Sequence, residues 1–289
     1  MPIVKKFAQT TLFIFLIIVS SCSINRMVVS SSANFFQDGM EVVYQEGDLK
    51  LAQEFLGSNL KTIEVISHRD PDNQKMNLLA AQSFGAYAMA FVQDEEPERA
   101  KRLYERGLQY ALQSLPSKKS FDKSIQVEEL DKLLKKYKAD QVPYLFWTAY
   151  NWGNIILMEL DKPISLMNLV KVEKIMRRCK ELRPEYNFAG VYLFYGSYYA
   201  GRPAMLGGDP EKGREIFQKC FEINDEKFYL AKYFNARYYA INVGDEKAFD
   251  QLIQEIENLD IDKYPDFRLM NAIAKDKAAR LKENKNEYF

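Results

Sequence analysis

The chain has 289 residues, with 40 basic and 40 acidic side chains and a formal charge of zero. That balance excludes the basic field a nucleic-acid binder needs. One histidine and three cysteines leave little for a metal centre, and the length allows a large core, as one elongated repeat domain or two smaller ones.

The N-terminus reads as an export signal. Lys5 and Lys6 precede an apolar run from Phe7 to Val19, too short to span a bilayer comfortably, and then Ser20-Ser21-Cys22. This resembles a bacterial lipoprotein signal, cleaved before Cys22, whose thiol then takes a diacylglycerol. We expect residues 1–21 to be removed, residues 22–32 to be the lipidated cysteine and a polar tether, and residues 33–289 to form one helical domain. Ser23 after the cysteine fits outer-membrane sorting in a cell with two membranes. Cleavage removes two lysines and leaves a formal charge near −2. No second apolar run approaches transmembrane length, so the lipid is the expected membrane contact.

Residues 34–57 and 59–67 read as an N-terminal helix pair, and Asp70-Pro71-Asp72-Asn73 as the turn that starts a helix from Gln74 to Val92. An internal repeat follows. PERAKRLY at Pro97 and PEKGREIF at Pro210 share proline, glutamate, a basic and a small residue, and end on an apolar-aromatic pair. With Gly on a first helix and a small-x-x-x-aromatic spacing on a second, four loose tetratricopeptide-like hairpins can be laid down. Their markers are Gly85 with Ala100 and Tyr104, Trp152-Gly153 with Val172 and Met176, Gly196 with Gly213 and Phe217, and Ala236 with Ala248 and Leu252. Between the first two lies a lysine-rich connection, Ser114 to Val142, with a short amphipathic helix at Leu130, Leu133, Leu134 and Tyr137. A last helix from Phe267 to Asn284 caps the stack. β signals are nearly absent, so the fold class is all-α: a solenoid of about four degenerate helical hairpins with flanking helices, which can enclose a pore.

The turn at Gly207-Gly208-Asp209-Pro210 is legible residue by residue. The glycines can take positive φ, Asp209 caps the next helix and Pro210 suits its first position. A glycine pair before a helix can also cradle phosphate, but the Asp209 carboxylate would occupy those amides and repel the anion. Cys179 and Cys220 fall at equivalent repeat positions, too far apart to bridge, and are expected in the core.

Catalytic signals are missing. His68 is the one histidine and lies in a turn, no His/Cys/Asp group has metal spacing, and no G-x-S-x-G or Walker loop occurs. We therefore read a non-enzyme that needs neither cofactor nor metal.

The first helices of the hairpins carry more aromatics than one core face can use. Trp147, Tyr150, Asn151 and Asn154 share a face, with Trp152 on another. Phe188, Tyr192, Tyr195 and Tyr199 form a stripe beside Phe194 and Tyr198, and Tyr229, Tyr233 and Arg237 align with Phe234 and Tyr238 alongside. Most such rings are ordinary inter-helix core. The excess, with Asn151, Arg202 and Arg237, suits a groove or pore that accepts an extended apolar molecule or a partner's surface. A carboxylate is the natural head group if either arginine faces it.

The segments DLKLAQEFLGSNLKTIEVI, PYLFWTAYNWG, SYYAGRPAMLGGDPEKGREIF, LAKYFNARYYA and YPDFRLMNAIAKDKAARL together resemble the T-component (TatT) family of TRAP transporters, across nearly the whole mature chain. The resemblance implies a lipid-anchored periplasmic protein of helical hairpins with a central pore, able to form a homotrimer. It also implies binding to the transporter's solute-binding subunit and passage of an apolar organic acid to or from it. Pore or partner contacts are then expected at Trp147 to Trp152, at Phe194 and Tyr198 to Leu206, and at Asn235 to Tyr239, naming Asn235, Arg237 and Tyr239 with the residues above. One departure is that Gly213 and Cys220 stand where the family's second helix carries alanines, which implies only weaker local helix propensity. A structural envelope scaffold that grips a peptide is the alternative that the same superhelix allows.

Overall fold

The computed structural model describes residues 25–116, 121–159 and 162–289. Among them there is no β-strand. Helix α1 covers residues 25–38, and the rest follow as α2 (Met40–Tyr44), α3 (Leu49–Ser67), α4 (Gln74–Phe91), α5 (Pro97–Ser114), α6 (Val127–Leu134), α7 (Val142–Leu157), α8 (Pro163–Leu182), α9 (Tyr186–Ala200) and α10 (Pro210–Ile223). Then come α11 (Leu230–Phe234), a π-helical segment (Asn235–Ala240), α12 (Ile241–Val243), α13 (Glu246–Glu257) and α14 (Arg268–Glu283).

The four expected hairpins are present as α4/α5, α7/α8, α9/α10 and α11–α12/α13, each packed on itself and on the next. Local chemistry sets their boundaries. Asn73, Asp209 and Asp245 cap their helices by accepting from Met76 N, Lys212 N and Ala248 N, and Pro97, Pro143, Pro163 and Pro210 open theirs at positions that need no amide. Cys179 and Cys220 are unpaired and buried.

The N-terminal region differs from expectation in two ways. The stretch read as a polar tether is helical from residue 25, with Val29 and Ala33 packed on Ile63, Met76 and Leu79. The break between the first helices falls at residues 45–48, where Asp48 caps α3 by accepting from Lys50 N and Leu51 N. The helix runs straight through Gly57 and Ser58, whose hydroxyl is absorbed by Glu54 O. The lysine-rich connection is also better anchored than its charge implies. Phe121, Leu130, Leu134 and Tyr137 are buried, and α6 packs on α8.

In the Gly-Gly turn only Gly207 has positive φ, at 80°. Gly208 is needed for a different reason, because a Cβ there would lie 1.9 Å from Arg202 O. Asn187, Phe188 and Ala189 take φ of 52–56°, a left-handed turn of three non-glycine residues at the head of α9. Asn224 Nδ2 secures it by donating to Phe188 O at 3.0 Å. The turn puts the Phe188 ring against Tyr44, Phe228 and Phe267, at centroid distances of 5.2, 5.3 and 5.4 Å.

Helix α14 does more than cap the stack, because it returns to α2 and α3. Lys277 Nζ meets Asp94 Oδ2 at 2.5 Å, Arg280 pairs with Glu95, and Arg268 Nη1 donates to Gln45 O at 3.1 Å. Asn271 holds its other side, accepting from Tyr229 N and donating to Lys227 O. The two ends of the superhelix therefore touch.

Gly213 is a packing requirement, beyond the lower helix propensity it brings. A Cβ there would stand 2.6 Å from Ala200 Cβ and 2.9 Å from Gly196 O, where α9 and α10 cross, and Gly196 in turn seats the Phe217 ring. Overpacking costs about 1–3 kcal/mol against about 1 kcal/mol gained in propensity. We expect Gly213→Ala to lower the urea midpoint, a net loss of up to about 2 kcal/mol; a midpoint above wild type would refute the close crossing.

Candidate functional site

Closure of the ends gathers side chains from opposite parts of the chain. Trp147 on α7 donates from Nε1 to the Tyr186 hydroxyl at 3.0 Å, and Gln82 on α4 donates to the same oxygen at 3.3 Å. Trp147 and Tyr150 pack edge-on with centroids 4.9 Å apart, and Tyr150 meets Tyr104 of α5 at 6.3 Å. The Tyr104 hydroxyl donates to Gln93 Oε1 at 2.7 Å. Tyr238, from the π-helical segment, lies parallel to Phe234 at 5.7 Å and interacts electrostatically with Tyr150, Tyr104 and Asp94. An aromatic cluster thus joins Tyr186, Trp147, Tyr150 and Tyr104, with Tyr44 and Tyr238 close enough at its two ends to interact electrostatically with Tyr186 and Tyr150.

The ionisation of these phenols describes the space they face. Burial raises the pKa of Tyr44, Tyr150 and Tyr238, and it pushes Tyr186 up to about 12. Yet all four keep surface that water can touch. Each of these rings is therefore largely removed from water and keeps only part of its surface at the edge of the packed helices. Tyr104, with no exposed surface, is raised further, by burial first and then by Tyr150, Tyr238 and Asp94.

The charge around these rings is sparse. Lys277 is 3% exposed, and burial lowers its pKa against the pull of Asp94. The pair is internally neutral. Arg237 is exposed and has no carboxylate partner among the described residues; its guanidinium carbon sits 5.9 Å from the Tyr238 ring and 5.8 Å from Tyr288. It is the free cation beside the cluster. Among the described residues no group of His, Cys, Asp and Glu could hold a metal.

Of the residues singled out from the sequence, Trp147, itself buried at 6% exposure, and Tyr150 fall in this cluster, and Arg237 lies beside the Tyr238 ring; the others are placed elsewhere. Asn151 is fully buried in the core, with Nδ2 donating to Ala81 O and Trp147 O and Oδ1 seated against Gly85 and Gly107 without a hydrogen-bond partner. Trp152 is 2% exposed and turned to the α8 side, beneath Lys171. Phe194, Tyr198 and Tyr199 pack among themselves and Tyr195. Arg202 is consumed by the turn, donating to Tyr198 O at 2.7 Å and Gly207 O at 3.2 Å while lying 3.4 Å over the Tyr198 ring. Asn235 lines a separate 140 Å³ recess with Phe217, Lys232, Gln251 and Glu255. Tyr239 is buried and donates to Glu211 Oε1 at 2.8 Å. Cys22 lies outside the described residues.

Tyr238 was visible as part of an aromatic stripe, but the π-helical turn hid its role. An i→i+5 turn adds one residue to the 3.6 period, so each side chain beyond Asn235 stands one place round from where helical spacing puts it. Tyr104 and Tyr186 reach α7 through the packing of neighbouring hairpins, and Tyr44 comes from the N-terminal helices, so no local pattern could connect them.

The described residues form an all-α solenoid whose ends meet, with tyrosines gathered between its hairpins. The chain matches the family model of the TRAP transporter T-component over residues 45–289 and belongs to that family. It is therefore an accessory component of TRAP transport, and that family is not an enzyme class. It is also 24% identical to an uncharacterized protein of Treponema pallidum (strain Nichols) across 94% of each chain. No helix among the described residues is long and apolar enough to cross a membrane.

The raised phenol pKa values have a signed consequence. A tyrosine whose folded pKa lies above its unfolded value of about 10 contributes stability below pH 10, which is lost as pH climbs toward the folded value. We expect the melting temperature to fall steeply above about pH 10. Phenolate absorbance from the buried tyrosines should rise together with loss of helical circular dichroism. Complete ionisation of all tyrosines near pH 10 in a still-folded chain would contradict the burial of these rings.

Proposed function

We propose that this T-component is a lipid-anchored periplasmic accessory of a TRAP system, held by Cys22 to the outer membrane. In this reading it binds the solute-binding subunit and passes an apolar organic acid to or from it through its aromatic interior. The observation that carries the reading is the cluster of Tyr186, Trp147, Tyr150 and Tyr104 with Tyr238 nearby, and beside Tyr238 the guanidinium of Arg237, which has no carboxylate partner among the described residues.

The chemistry of that arrangement selects the guest. Aromatic faces accept alkyl chains without demanding directional partners, and enclosure makes burial of the chain favourable at about 25 cal/mol per Å². Phenol hydroxyls supply a few polar points along the way. The neutral Lys277–Asp94 pair imposes no net charge inside, so an ionised head group does better at Arg237, where charge-assisted hydrogen bonds are available and the cost of desolvation is small. Homotrimerisation, as the family resemblance implies, would set several such interiors side by side on one membrane.

Three measurements test the proposal: native mass spectrometry, calorimetry, and a native pull-down with Ser23–Phe289 as bait. Native mass spectrometry of gently purified Ser23–Phe289 should show a retained small apolar mass. Calorimetry with a medium-chain carboxylate should show binding that weakens about tenfold in Arg237→Ala, the loss of one charge-assisted contact, and further in Arg237→Ala/Tyr238→Ala. A folded double mutant with unchanged affinity would remove the site. Failure of the bait to co-purify a TRAP solute-binding subunit, with assembly or cell-wall proteins recovered instead, would favour the scaffold reading.

A further inference from the structure

The outer flank of the first two helices has no partner within the chain. Val28, Phe35 and Val42 are spaced seven residues apart and are 53%, 75% and 75% exposed, and Met27 beside them is 64% exposed. At 100° per residue, the three fall within about 40° of one another around the helix axis. The neighbouring face, with Val29, Ala33 and Phe36, is packed against the α3–α4 layer. The opposite flank is polar and already engaged. Ser30 accepts from Asn73 Nδ2 at 2.9 Å, and Asn34 Oδ1 accepts from Lys75 Nζ at 3.1 Å. The apolar stripe is therefore one-sided.

What lies against it follows from chain length. The chain is helical by residue 25, three residues after Cys22. Even fully extended, three residues reach only about 10 Å. An acyl chain on Cys22 thus holds the first turn of α1 at the headgroup layer, which is the depth an interfacial amphipathic helix occupies. With Val28, Phe35 and Val42 on one line, the same placement brings the whole stripe to the surface. Electrostatics select the lipid. Over residues 25–46 one arginine stands against Asp38, Glu41 and Glu46, so an anionic leaflet is not attracted and a zwitterionic one suffices.

We propose that α1 and α2 lie on the leaflet that holds the Cys22 lipid, with Val28, Phe35 and Val42 inserted among zwitterionic phospholipids. The lipid then acts as one of two contacts that fix the orientation of the domain on the membrane. The proposal rests on the lipid-anchor reading above. The two acyl chains of the diacylglycerol hold the domain at the membrane, and the surface contact adds a fixed orientation to that attachment.

The test uses the acylated full chain in phosphatidylcholine vesicles, with Val28→Cys, Phe35→Cys and, as a water-facing control, the exposed Lys247→Cys. Each is labelled with an environment-sensitive fluorophore; the native Cys179 and Cys220 are fully buried. Lipids carrying a nitroxide near the top of the acyl chain should quench positions 28 and 35 at least about threefold more than 247, independently of salt. Equal quenching at all three sites, in protein whose mass shows acylated Cys22 and which floats with the vesicles, overturns the proposal while leaving the anchor intact. Absence of the acyl mass overturns the anchor and the proposal with it. If the label at 35 shifts with protein concentration in vesicle-free Ser23–Phe289, the stripe belongs to a second copy and the proposal falls.

Discussion

The contact between α14 and the N-terminal hairpins decides what the rest of the molecule can do. An open row of four hairpins would leave Tyr104, Tyr150 and Tyr238 on a concave, hydrated surface. The Lys277–Asp94 and Arg280–Glu95 pairs and the Arg268 bond to Gln45 O instead bring the last helix onto the first third of the chain. Lys277 is almost wholly buried and Asp94 keeps about a third of its side-chain exposure, so the pair pays desolvation mainly on the lysine. Such a pair fixes position more than it adds stability, and position is what a closed interior needs.

Closure also explains the division of labour among the aromatics. Rings on the outer side of α9 and α10 serve packing and turn formation, as the engagement of Arg202 over Tyr198 and of Tyr239 with Glu211 shows. Rings on α5, α7 and the head of α9 commit their polar atoms to hydrogen bonds, the Tyr104 hydroxyl donating to Gln93 and the Tyr186 hydroxyl accepting from Trp147 and Gln82. The left-handed turn at Asn187–Ala189 contributes by swinging Phe188 against Tyr44, Phe228 and Phe267. A backbone cost of about 1–2 kcal/mol per residue is tolerated there because Asn224 and the surrounding rings hold the turn from several sides.

The hairpins were legible in the sequence because their signals are local. Capping residues, prolines at helix starts and small-aromatic spacing act within a few residues, and each of the four hairpins follows from them. The Gly-Gly turn was legible for the same reason, although Gly208 turned out to answer a close approach to Arg202 O and not a positive φ. The ring cluster was legible only in part. Trp147, Tyr150 and Arg237 fall in or beside it, but Asn151 and Trp152, on the same short stretch, go to the core on other faces. Periodicity alone cannot tell two buried faces apart. A π-helical turn moved the register at Tyr238, Tyr104 reaches Tyr150 across the α5–α7 packing, and Lys277 reaches Asp94 only through long-range closure. Gly213 shows the same limit: its low helix propensity was visible, and the backbone contact that demands it was not.

The central claim is that apolar acids enter a lining that includes Trp147 and excludes Trp152, and the chain's two tryptophans allow it to be tested directly. Fluorescence titration with a dibrominated long-chain fatty acid, a contact quencher, should be run on Trp152→Phe, which retains only Trp147, and on Trp147→Phe, which retains only Trp152. The account expects saturable quenching of Trp147 and little quenching of Trp152. Equal quenching of both, or none that saturates, would contradict a ligand path through the closed aromatic interior.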